Sequence, residues 1–95
     1  MAIPEDGVSQ WRMFTGEQLR AARALLKWSR DQLADASGIS AIAIKEFEGG
    51  ASDPKRSTLI ALRGALAKAG VVFLEETDMH GPGVAFSGSH KRKSK

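Results

Sequence analysis

Apolar residues recur at spacings of three and four over four short stretches, each set off by residues that start or stop a helix. In the first, Leu19, Ala22, Leu25 and Leu26 share one side, with Arg20, Arg23 and Lys27 around it. Thr15-Gly16-Glu17-Gln18 just before is a capping box, in which Thr15 accepts from an early helix N–H and Gln18 reaches back. Phe14 and Leu19 have the spacing of a hydrophobic staple, and the helix is expected to run to about Lys27. A second capping box, Ser29-Arg30-Asp31-Gln32, opens a short helix to Ser37, with Leu33, Ala34 and Ala36 available for burial. Gly38 follows as the residue able to take a left-handed conformation. Ser40 caps a third helix over 41–48, where Ile44 and Phe47 share an inward face, and Gly49-Gly50 ends it. After the loop "ASDPKRS", with its non-propagating Pro54, a fourth helix runs from about Thr58 to Ala69. Leu59, Leu62 and Leu66 form its buried stripe and Gly70 its stop.

The period then changes. "VVFLEE" and "VAFS" are rich in β-branched and aromatic residues and flank the loop chemistry of "TDMHGPG", which predicts a β-hairpin over 71–87. An isolated hairpin is marginal in water, so this one must pack on the helices or pair with another chain. Residues 1–13 show no sustained period and read as a flexible arm, and 88–95 as a disordered basic tail. The expected organisation is that arm, a helical domain over 14–70, a hairpin over 71–87, and the tail, with the hairpin as the expected dimerisation element and the arm as the alternative to it. Met13 directly precedes the first helix signal, so Met1 and Met13 are both candidate starts.

Composition narrows the classes. Ninety-five residues allow one domain with a small core, for which oligomerisation is a natural support. The absence of Cys excludes disulfides and thiolate metal sites. Apolar runs such as Val71-Val72-Phe73-Leu74 are far too short to span a membrane, and the N-terminus lacks the basic and apolar regions of a signal peptide, so a cytoplasmic location is expected. His80 and His90 stand apart from other ligand types, so no metal is expected. Neither a triad spacing nor a Gly-rich phosphate loop after a strand is present, which argues against an enzyme. No cofactor or small-molecule effector site is evident. The net charge of +3 is unevenly divided: −1 over residues 1–14, +3 over 15–69, −3 over 70–90 from Glu75, Glu76 and Asp78, and +4 in "KRKSK" at 91–95. Such polarity suits a polyanion meeting one face.

Two short helices joined by a Gly-containing turn, the second well capped, describe a helix-turn-helix. With "LRAARALLKWSRDQLADASGISAIAIKEFEGG", a Pro loop and "TLIALRGALAKAG", the chain resembles the phage repressor/Cro type of DNA-binding domain, the XRE family of small bacterial regulators, over about residues 15–70. The resemblance implies a mainly α fold: a four- to five-helix, lambda-repressor-like bundle, here with a C-terminal β-hairpin. It implies that Arg23 and Glu48 form an ion pair joining the first helix to the end of the third. It places Ser29, Arg30, Ser40, Lys55 and Arg56 against DNA phosphates, and Ala41, Ile42, Lys45 and Glu46 in the major groove. Family members commonly carry polar side chains at several of the groove positions, and the Ala-Ile here departs from that.

Three readings of the departure stand open. Ala41 and Ile42 contact thymine methyls while Glu46 accepts from cytosine N4 and Lys45 reaches guanine or phosphate. Alternatively the helix is rotated and Ile42 is core, or the face is a patch that binds protein. The expected function is a transcriptional regulator that binds double-stranded DNA as a homodimer. The alternative is an interaction module of the same fold, an anti-activator or antitoxin, whose partner is another regulator or a toxin.

Overall fold

A computed structural model describes residues 14–87. The arm at 1–13, both candidate starts and the tail at 88–95 lie outside them. Four helices and two strands follow in order: α1 Gly16–Leu26, α2 Arg30–Ser37, α3 Ala41–Glu48, α4 Arg56–Lys68, β1 Val71–Leu74 and β2 Gly83–Phe86.

Local chemistry sets the boundaries. Both capping boxes form: Thr15 Oγ1 accepts from Gln18 N while Gln18 Oε1 accepts from Thr15 N, and Ser29 and Gln32 repeat the exchange. Ser40 Oγ accepts from Ala43 N at the start of α3. Gly38 and Gly70 stand at φ 81° and 97°, the left-handed region in which a Cβ is penalised. Lys27 ends α1 with a left-handed φ of 59°, donating its N–H to Ala24 O, a place where Gly or Asn is the usual residue. The fourth helix starts earlier than Thr58, with Lys55 as a cap that makes no side-chain bond.

Leu19, Ala22, Leu33, Ile44, Leu59, Leu62 and Leu66 are buried together with Phe14 and Val71. The staple residues Phe14 and Leu19 thus belong to one core. Trp28, expected as core, is half-buried and packs at its margin, and Ala36, expected to be available for burial, is exposed. The tight approach of α1 to α3 depends on Gly16, where a Cβ would overlap the Phe47 carbonyl.

β1 and β2 pair antiparallel with Val71 opposite Phe86 and Leu74 opposite Gly83. The hairpin packs on the helices: Val71 is buried, and Phe73 and Val84 lean on the core. The Phe73 ring meets Phe14 edge-on at 4.2 Å between centroids. Gln18, besides its capping role, donates from Nε2 to Leu74 O at 3.0 Å and Gly83 O at 2.9 Å, clasping both strands where the hairpin opens into its loop.

Candidate nucleic-acid interface

The helix-turn-helix is α2, the turn at Gly38-Ile39-Ser40, and α3. Ile44 and Glu48, one turn apart, are buried in the bundle. On the other side of α3, Ile42 is 69% exposed and Lys45 and Glu46 are exposed, with Ala41 half-buried at the edge. The reading in which α3 is rotated and Ile42 is core is therefore overturned: Ile44 fills that role.

The angle of α3 is set by its last residue. The Glu48 side chain is 1% exposed, and its carboxylate accepts from Arg23 Nε at 2.7 Å and Arg23 Nη2 at 2.8 Å, a two-point grip that fixes the guanidinium plane. Arg23 Nη1 donates to Trp28 O at 3.0 Å, tying the turn between α1 and α2 to the same group. The hydrogen bond to Glu48 holds the Arg23 pKa above its ordinary value, against the opposing effect of burial. The expected ion pair is thus present.

A third donor was not foreseen. Arg30, at the first position of α2, places Nε 3.1 Å from Glu48 Oε1, with its side chain 41% exposed. Two guanidinium groups share one carboxylate, and the cluster is cationic, with Arg30 its more exposed cation. Sequence spacing pairs Arg23 with Glu48 only through the family pattern, and nothing in the chain order points to Arg30, 18 residues away.

The remaining sequence-predicted residues are exposed at helix starts. Ser29 and Ser40 use their oxygens as acceptors for caps, which leaves each hydroxyl proton able to donate outward. Lys55 and Arg56 open α4, which has no acid in its first turn. A cation at a helix N-terminus opposes the macrodipole by about 0.3–1 kcal/mol, so Arg30, Lys55 and Arg56 are not placed to stabilise their own helices. Among the described residues no group of three or more His, Cys, Asp or Glu could hold a metal ion, and no helix is long and apolar enough to cross a membrane.

A capped pair of short helices across a Gly turn, with an outward α3 face held by a buried ion pair, defines a DNA-binding head of the helix-turn-helix class. The helix-turn-helix family model matches residues 19–69, more than half of the chain. The chain belongs to this family, of the Cro/C1 or XRE type, and is a DNA-binding transcription regulator. A search of curated proteins gives no match.

Proposed function

We propose that the protein binds duplex DNA as a homodimer, each copy inserting the outer face of α3 into the major groove. The observation that carries this is the division of α3: Ile44 and Glu48 are consumed by the bundle, while Ile42 at 69% exposure, Lys45 and Glu46 are not. Ala41 and Ile42 then meet thymine methyls, Glu46 accepts from cytosine N4, and Lys45 donates to guanine or a phosphate. Ser29, Arg30, Ser40, Lys55 and Arg56 hold the flanking backbone, and basic side chains at helix starts, unfavourable for the helices themselves, support that role. One eight-residue helix offers few base contacts, so useful affinity requires two half-sites about 34–36 Å apart.

The exposure of Ile42 also favours a second reading, in which this face binds another regulator or a toxin. Capture of genomic fragments at low salt, followed by the same capture with the Lys55→Ala/Arg56→Ala variant, separates the two. These residues are exposed and their loss leaves the core untouched, whereas Arg30 is engaged with Glu48. The DNA reading expects an enriched sequence with the wild type and strong loss with the variant. Recovery of no enriched sequence overturns it, and biological activity that survives the double substitution favours the protein partner.

A further inference from the structure

The carboxylate that ends α3 binds its two guanidinium partners in different ways. Arg23 takes both oxygens of Glu48, Nε donating to Oε2 at 2.7 Å and Nη2 to Oε1 at 2.8 Å. This two-point grip fixes the carboxylate independently of Arg30. Arg30 adds a single bond, from Nε to the already shared Oε1 at 3.1 Å. Among the described residues this is the bond its guanidinium makes, so the protons of Nη1 and Nη2 remain to donate.

Charge sharpens the difference. The Glu48 side chain is 1% exposed and that of Arg23 14%, so these two opposite charges balance each other away from water. Arg30, 41% exposed, is the surplus cation, and the cluster is one negative charge short of neutrality. A DNA phosphodiester carries one negative charge and two free oxygens, which suits the planar fork of a guanidinium. The bond also joins two elements with different tasks. Arg30 opens α2 and Glu48 closes α3. In the DNA-binding reading above, α2 crosses the backbone and α3 enters the groove, so the two helices are tied by side chains as well as by the turn at Gly38-Ile39-Ser40.

We infer that Glu48 is a positioning residue for DNA recognition: it holds the Arg30 guanidinium so that a phosphate meets the Nη groups at a fixed offset from the outer face of α3. This rests on the DNA-binding reading and gives the Arg30–Glu48 bond a part in specificity beyond charge. A held guanidinium has already lost rotamer freedom, so less ordering is left to the complex. A phosphate contact from an untethered side chain strengthens binding to every sequence alike. A contact indexed to α3 instead favours the sequence that α3 fits.

Arg30→Lys tests this, because it keeps the charge and removes the bridge: a lysine ammonium is a compact point charge without the fork. Titrations over a range of salt compare the duplex selected by the wild type with one of unrelated sequence. The expected result is a loss of about 3–10-fold on the selected duplex and under about twofold on the unrelated one, with the salt slope retained. In a Glu48→Gln background, Arg30→Lys then costs the selected duplex under about twofold, since the charge that held Arg30 is gone. Should Glu48→Gln fail to fold, Arg30→Lys in the wild type decides alone. Equal losses on both duplexes, or no loss, overturn the inference. Tighter binding overturns it too, because Arg30 must then leave Glu48 to reach the DNA. A wild type that selects no sequence overturns the base-reading proposal and this inference with it, whereas selection that survives Arg30→Lys intact overturns this inference alone.

Discussion

Arg23→Ala removes most of what holds α3 at its angle. It deletes both short bonds to Glu48 and the bond to Trp28 O, and leaves a carboxylate whose side chain is 1% exposed facing only Arg30 Nε at 3.1 Å. Breaking a buried pair by removing one partner costs about 3–5 kcal/mol. Arg30 offsets part of this from a side chain 41% exposed, where water competes, so the lower end, about 3 kcal/mol, is expected. For a domain of this size that lowers the melting midpoint by about 12–24 °C. Urea and thermal unfolding followed by circular dichroism read the loss directly. The double replacement Arg23→Met/Glu48→Leu should restore most of it, because an apolar pair of similar volume leaves no buried charge stranded, and Arg30, which loses its partner, has a side chain 41% exposed to water. The Arg23 pKa is raised, so its contribution is complete below the ordinary arginine value and is lost only as pH rises through the still higher folded value. The difference between wild type and variant should accordingly stay flat from about pH 7 to 10. A loss under about 1 kcal/mol, or a double replacement no better than Arg23→Ala, would refute the reasoning, since an exposed pair behaves that way.

Other substitutions test the supports around the site. Gly16→Ala raises helix propensity but drives a Cβ into the Phe47 carbonyl, so a loss of at least about 2 kcal/mol is expected, and a gain would show that α1 and α3 can part freely. Gln18→Ala leaves Leu74 O and Gly83 O without its donors, which predicts a loss of about 1–3 kcal/mol and faster amide exchange in β1 and β2 than in α3. Equal exchange in both would argue against the clasp. Lys55→Ala/Arg56→Ala should reduce the salt slope of DNA affinity by about 2, with no change in melting, and an unaltered slope removes both from the phosphate-contacting set.

What the sequence made legible was local. Capping boxes at Thr15 and Ser29, the cap at Ser40 and the stops at Gly38 and Gly70 depend on residues within a few positions of one another, and all are present. The start of α4 was placed two residues late because Lys55 caps it without a side-chain bond. Lys27 in the left-handed region carries no local signature: the tight turn into Trp28, whose carbonyl accepts from Arg23, demands it. The second use of Gln18 joins it to carbonyls 56 and 65 residues away, and Arg30 meets Glu48 across two helices. Such contacts follow from packing, which periodicity does not encode. For α3, burial of Ile44 rather than Ile42 decides which face is outward, a choice the alternating Ala-Ile-Ala-Ile left open.

The central claim is that the outward face of α3 reads DNA in a paired arrangement. Selection of bound duplexes from a random pool by the wild-type protein tests it most directly. The expected product is two inverted half-sites about 10–10.5 base pairs apart, centre to centre, with thymine enriched where Ala41 and Ile42 fall and the preference lost in Ile42→Glu. An unenriched pool, or a selected sequence that Ile42→Glu binds as well as the wild type, would contradict it.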